Sequence, residues 1–149
     1  MEIRAAVPGD ESAVVSCVNE AFSPYIPLIG LTPGPMLEDY HAALQNHPLF
    51  VAIADDLPVG VVLLKDAPGE DYMWLDVLAT RTAVRGRGIG QALIAFSEDY
   101  MRSQGKQECR LYTHVKYQHS IDLYQYLGYE ITHRIQEYGY DRYYMRKLL

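Results

Sequence analysis

The sequence predicts a mixed α/β domain, a central, mostly antiparallel twisted sheet flanked by helices, and three observations carry that expectation. Apolar, β-rich runs bounded by turn residues occur at Leu49 to Ala54, Val59 to Leu64 and Tyr72 to Ala79, with further runs toward the C-terminus. From Ile89 the apolar spacing changes from that of a strand to that of a helix. Finally, 149 residues with 49% hydrophobic and 21% charged side chains furnish one core but not two, so a single domain over residues 1–149 is expected.

Along the chain, Glu2 to Ala6 reads as an opening strand stopped by Pro8-Gly9. Asp10 is then placed to cap a helix whose Val14, Val18 and Phe22 recur every four residues and bury one stripe. Ser23 to Pro35 holds four prolines and two glycines, which argues against regular structure and marks a candidate substrate loop. Pro35 suits the first position of a second helix reaching about Gln45. Asp55-Asp56-Leu57-Pro58 joins the first two β-runs into a hairpin, and Pro68-Gly69 turns the chain into Tyr72 to Ala79, apolar on both faces like a central strand. Three successive antiparallel strands follow from this pattern. In the next helix Ile89, Leu93, Phe96 and Tyr100 share a face, and Gly105 ends it. Arg110 to Val115 is a strand, Ser120 to Leu127 a short helix with Ile121, Tyr124 and Leu127 on one side, and Tyr129 to Ile135 and Asp141 to Arg146 are the last strands, turning at Gly139. The aromatic Tyr138 to Tyr144 stretch suits edge pairing in a homodimer or packing within the monomer.

A net charge of -6 disfavours nucleic acid as a partner. The sequence contains no apolar run approaching the roughly 20 residues of a membrane span, and Glu2 and Arg4 interrupt any leader-like segment, so a cytoplasmic protein without a membrane partner is expected. Cys17 and Cys109 read as buried free thiols. The five histidines lack ligand spacing, so no metal is expected.

One stretch departs from ordinary surface composition. Gly86, Gly88 and Gly90 alternate directly after a strand and at the opening of a helix, with Arg81, Arg85 and Arg87 beside them. Glycines there let the backbone approach a ligand with its N–H groups outward, a geometry that cradles phosphates. A solvated basic turn, or glycines that merely allow tight helix packing, are the competing readings. Spacing excludes two familiar phosphate loops: the position three after Gly88 is Gln91, not the glycine of a dinucleotide fingerprint, and Gly90 is followed by Gln91-Ala92 rather than Lys-Ser/Thr.

Val77-Leu78-Ala79 followed by Arg85-x-x-Gly88-x-Gly90 resembles the acetyl-CoA motif of the GNAT superfamily of N-acetyltransferases. Leu123-Tyr124-Gln125-Tyr126-Leu127-Gly128-Tyr129 is similar to that family's second mark, and the order of elements fits over essentially the whole chain. The resemblance implies acetyl-CoA as cosubstrate and acetyl transfer to a primary amine, and the acidic balance favours a cationic small molecule as its carrier. A CoA-binding sensor with little activity and a peptide N-terminal acetyltransferase are the alternatives. It further implies that Val77, Leu78, Ala79 and Thr80 line the pantetheine arm, with backbone groups of Leu78 and Thr80 pairing like an added strand. The amides of Arg85, Gly86, Arg87, Gly88, Ile89 and Gly90 would hold the pyrophosphate, the two arginines adding charge-assisted contacts.

Acetyl transfer needs a neutral amine, and deprotonating a lysine-like amine at pH 7 costs about 4.6 kcal/mol. Asp76 is a candidate base, since alternation places it with Trp74 and Leu78 on the strand leading to the CoA segment; a carboxylate bonded to a neighbouring strand is the alternative. Tyr124 occupies the position of the family's thiolate-protonating tyrosine, although periodicity alone makes it a core aromatic. Two departures stand near it: Tyr117 replaces the usual Asn, which puts a CoA contact in doubt, and Ser120 replaces Ala, where it can cap the short helix or offer a hydroxyl to the cosubstrate. His114 either faces the acceptor cleft or is a partly exposed, hydrogen-bonded residue. Neither cysteine has a histidine placed to activate it, which favours direct transfer over an acyl-Cys intermediate. The acceptor is expected between Tyr25 to Tyr40 and the C-terminal strands.

Overall fold

A computed structural model describes residues 1–149. In chain order its elements are β1 (Glu2–Ala5), α1 (Glu11–Phe22), α2 (Ile26–Ile29), α3 (Tyr40–Asn46), β2 (Leu49–Ala54), β3 (Leu57–Asp66), β4 (Tyr72–Thr80), α4 (Ile89–Ser103), β5 (Glu108–His114), α5 (Gln118–Tyr126), β6 (Glu130–Glu137) and β7 (Tyr140–Leu148). The strands form one seven-stranded sheet in the order β1-β2-β3-β4-β5-β7-β6, in which only β4 and β5 are parallel neighbours. This is the mixed, mostly antiparallel sheet that the β-runs predict.

β2, β3 and β4 are consecutive antiparallel neighbours, as expected. Their first turn is tighter than the sequence suggests. Asp55 and Asp56 both adopt positive φ (51° and 62°), which makes a two-residue turn matched to strand twist, and Leu57 and Pro58 join β3 instead. Pro58 sits at a register irregularity opposite Ile53, where a missing N–H is tolerated.

β4 carries the feature that shapes the site. Leu75 stands opposite Leu64 and Val77 opposite Leu63, so Asp76 is an extra residue without a partner on β3. Such a bulge reverses which face successive side chains occupy. Met73 and Leu75 accordingly pack with Leu93, Ile94 and Met101 of α4, whereas Val77 and Ala79 pack with Val14, Cys17 and Val18 of α1. The unbroken alternation Met73, Leu75, Val77, Ala79 thus serves two separate cores. Gly60 eases one of these packings: a Cβ there would lie 2.8 Å from Leu93 Cδ1 and 3.0 Å from Ile89 Cγ2, so any larger residue makes those side chains shift where α4 settles on β3.

Four local expectations are corrected. Asp10 occupies the N-cap position of α1 but makes no capping bond to it; its carboxylate accepts from Arg4 (2.7 Å) and from the Val7 amide (2.9 Å), stitching β1 to the helix entrance. Ser23 to Pro35 contains a 3-10 turn at Ser23–Tyr25, helix α2 and the start of another 3-10 turn at Gly34–Leu37, because Pro24, Pro27 and Pro35 occupy opening positions where no amide is required. The second long helix begins at Tyr40 rather than Pro35, with the Asp39 carboxylate accepting from the Ala42 amide at 3.0 Å. β7 offers no edge for a partner, since β5 and β6 flank it on both sides; the free edges belong to β1 and β6.

Candidate active site

β4 and β5 pair only at Tyr72–Glu108, Met73–Cys109 and Trp74–Arg110, then separate. The gap opens at the next residues, beside the bulge at Asp76. The Arg81 amide donates to Val59 O (2.9 Å), so by alternation Ala79 and Val77 aim their backbone groups at β3. Leu78 and Thr80 aim theirs into the gap, where no strand receives them.

The glycine loop follows directly. Gly86 and Gly88 adopt φ of +83° and +76°, and a Cβ at either would meet nothing within 4 Å, so backbone conformation rather than crowding selects glycine. The amides of Arg85 and Arg87 are used inside the loop, donating to Thr82 O (3.2 Å) and Val84 O (3.3 Å). This corrects the expectation that all six amides face a ligand. Those of Gly86, Gly88, Ile89, Gly90 and Gln91 have no backbone partner, and the last three open the 15-residue helix α4. Arg85 and Arg87 are exposed and unpaired, whereas Arg81 bonds Ser16 Oγ (3.1 Å) and Ala13 O (3.3 Å) on α1 and so leaves the basic group.

Tyr124 of α5 satisfies both sequence readings at once. Its ring belongs to the α4-side core, edge-on to Tyr129 at 5.6 Å. Tyr129 is itself fixed, its hydroxyl donating to Glu98 (2.8 Å), which also receives Lys147 at 3.0 Å. The Tyr124 hydroxyl has no protein partner yet is not sealed off; the residue lines a cleft that runs through the gap. Burial pushes its pKa above the ordinary tyrosine value. Ser120 does not cap α5, whose N-cap is Tyr117; it lies one turn before Tyr124 and lines the same cleft. Tyr117 stacks on Tyr25 with centroids 4.1 Å apart, so the aromatic at this position builds cleft wall.

On the face opposite α4 the cleft is built from charged and aromatic side chains. Asp76 stays on the side of Trp74, but Leu78 turns to the α4 side because of the bulge, which corrects the simple alternation. The Asp76 carboxylate receives Lys65 Nζ from β3 at 3.3 Å and the Tyr112 hydroxyl from β5 at 3.5 Å. Burial raises its pKa above the usual carboxylate range, against the pull of Lys65. Lys65 also contacts Glu38, in the link before α3, at 2.9 Å. His114 is buried and lines the cleft, which removes the partly exposed alternative. Its Nδ1 accepts from the Lys116 amide at 3.1 Å, leaving Nε2 to carry the proton, and burial lowers its pKa, favouring the neutral ring. The guanidinium of Arg142 lies 4.3 Å from the Tyr112 ring centroid and 4.7 Å from that of Tyr140, with Glu137 as its ion partner at 2.9 Å.

Glu38, Lys65, Tyr112 and Arg142 were not legible as site residues, and only Lys65, a charge within an apolar strand, carried a usable signal. Cys17 and Cys109 are buried and unpaired, with thiols pushed up to about 11 and about 12. No three His, Cys, Asp or Glu side chains are grouped to hold a metal ion, and no helix is long and apolar enough to cross a membrane.

Residues 16–129 match the profile described as the Acetyltransferase (GNAT) family. The Mus musculus protein named Probable N-acetyltransferase family 8 member 5 is 35% identical over 80 residues, 53% of this chain and 35% of that protein; the match spans about a third of that relative's length. The PaiA N-acetyltransferase from Thermoplasma acidophilum, solved in complex with coenzyme A, has a TM-score of 0.82 at 20% identity, covering 99% of this chain and 98% of that one. The ribosomal-protein-S18-alanine N-acetyltransferase from Escherichia coli has a TM-score of 0.81 at 15% identity, covering 99% and 92%. At these identities the two structures establish a shared fold.

Proposed function

The chain belongs to the acetyltransferase (GNAT) family, and from that premise we propose that it transfers the acetyl group of acetyl-CoA directly to a primary amine of a small molecule. One observation carries the reading: a gap with unpartnered backbone groups of Leu78 and Thr80, lined by the Asp76 cluster and followed directly along the chain by a loop whose Gly86 and Gly88 to Gln91 amides are free. Acetyl-CoA supplies the acyl group as an activated thioester. Leu78 and Thr80 bind its pantetheine arm as a strand would, while Val77 and Ala79 anchor β4 in the α1 core. The free loop amides and the positive end of α4 receive the pyrophosphate, with Arg85 and Arg87 adding charge at the rim. Ser120 offers its hydroxyl to the cosubstrate from the cleft wall.

Asp76 removes the acceptor's proton. Burial makes it a stronger base than an exposed carboxylate, and a general base of this type contributes on the order of 10²-fold or more. Tyr124 offers its free hydroxyl to the departing sulfur. Because burial raises the Tyr124 pKa, this is a hydrogen bond that strengthens as charge develops, rather than prior release of a proton. The acceptor enters opposite α4, beneath Gly34 and Pro35, where Glu38, Asp76 and the Lys65 ammonium between them leave one net negative charge. A peptide N-terminal amine is the second reading, supported by the name of the Escherichia coli relative. A CoA-binding sensor or interaction domain is the third, supported by Tyr117 at the position for which the resemblance implies an Asn contact with CoA. Screening primary amines and short peptides with thiol-release detection tests the proposal. Turnover of small amines is expected; tight acetyl-CoA binding without turnover on any acceptor contradicts it in favour of the sensor.

A further inference from the structure

The proposed reaction makes a geometric demand on its acceptor: a primary amine within hydrogen-bond reach of the base, inside the cleft. One amine of the chain already meets it. Among the four lysines only Lys65 lines the cleft, and its Nζ lies 3.3 Å from Asp76 Oδ2 and 2.9 Å from Glu38 Oε1. Asp76 in turn accepts from Tyr112, so the cluster spans β3, β4 and β5 where the gap begins. The Lys65 side chain is 30% exposed, which leaves the amine open to the cleft rather than sealed in the core.

We propose that Lys65 is an internal acceptor, acetylated by the protein on its own Nζ from acetyl-CoA bound in the gap. The inference rests on the acetyl-CoA reading above. Lys65 Nζ passes one proton to Asp76 and forms an N–C bond to the thioester carbonyl carbon. The C–S bond breaks, its electron pair leaves with sulfur, and sulfur takes the amine's second proton by way of Tyr124. The products are acetyl-Lys65, CoA thiol and the proton released from Asp76 to solvent. Carboxylates hold the Lys65 ammonium in its charged form, which slows the step, and confinement beside the thioester offsets that cost. Glu38, Tyr40, Asp76, Tyr112 and Arg142 are the titratable and charged groups around the cluster, and acetylation would leave Glu38 and Asp76 without the cation between them.

The full chain is incubated with deuterium-labelled acetyl-CoA at about pH 7 and about pH 9, and peptides are mapped by mass. Label is expected at Lys65 at least about tenfold faster than at exposed Lys116, in a reaction first order in protein and faster at the higher pH. Lys65→Arg, which keeps the charge between Glu38 and Asp76, should abolish that label and leave CoA affinity unchanged. Labelling led by Lys116, with Lys65 unmodified, overturns the inference. Calorimetric titration of CoA into the same sample separates the two readings: binding without Lys65 acetylation removes only the internal acceptor, whereas no binding removes the proposed function as well.

Discussion

The two mouths of the gap are made of different materials. Toward α4 the site is backbone: unpaired strand groups, loop amides held by positive-φ glycines, and a helix start brought onto β3 by Gly60. Toward the opposite face it is side chain: Glu38, Lys65, Asp76, Tyr112, His114 and Arg142, drawn from separate parts of the chain. A backbone site is tolerant of neighbouring sequence and fixes a ligand common to a whole family; a side-chain site can be rebuilt residue by residue to suit one acceptor. On the proposed function, the difference separates donor binding from acceptor choice.

Breaking the side-chain mouth should have the largest effect. Asp76→Asn is expected to lower kcat/KM for amines on the order of 10²-fold while CoA affinity, measured by calorimetry, stays unchanged. Since burial raises the Asp76 pKa, the base is ionised only at higher pH than an exposed carboxylate. Activity of the unsubstituted protein should therefore fall on the acid side at a higher pH than an exposed carboxylate would give, and the Asn variant should lack that acid limb in a pH–rate profile. Breaking the backbone mouth is next. Gly88→Val forces a β-branched residue to φ +76°, and CoA affinity should weaken about tenfold or more, with a circular dichroism spectrum that stays native. Tyr124→Phe stands between the mouths and should reduce kcat about tenfold without weakening CoA, the loss of one hydrogen bond to a developing charge. The smallest effect sharpens the comparison: Gly60→Ala presses on Leu93 and Ile89, and thermal unfolding should show a loss of about 1 kcal/mol with a slight fall in CoA affinity.

The same contrast explains what the sequence discloses. Gly86 and Gly88 announce the backbone mouth because a local backbone conformation demands them, and the helix carrying Tyr124 announces itself by period. The side-chain mouth leaves little such trace beyond the charge of Lys65. Glu38 and Lys65 are 27 residues apart and meet only after α3 and β3 have packed. Asp76 is visible as a carboxylate, but its bulge is not, because Met73, Leu75, Val77 and Ala79 alternate without interruption while facing two different cores. Which face a strand residue occupies is decided by pairing with β3, a tertiary fact that one strand's pattern does not contain. Proline-rich Ser23 to Pro35 misled for a related reason, since its prolines open short turns as readily as they break long helices.

Amide hydrogen exchange with and without CoA reports on the backbone groups proposed to hold the donor. Slowed exchange is expected at Leu78, Thr80, Gly86 and Gly88 to Gln91 when CoA binds, with little change along β6. CoA binding that leaves those amides unprotected, and protects another surface instead, would contradict that proposal.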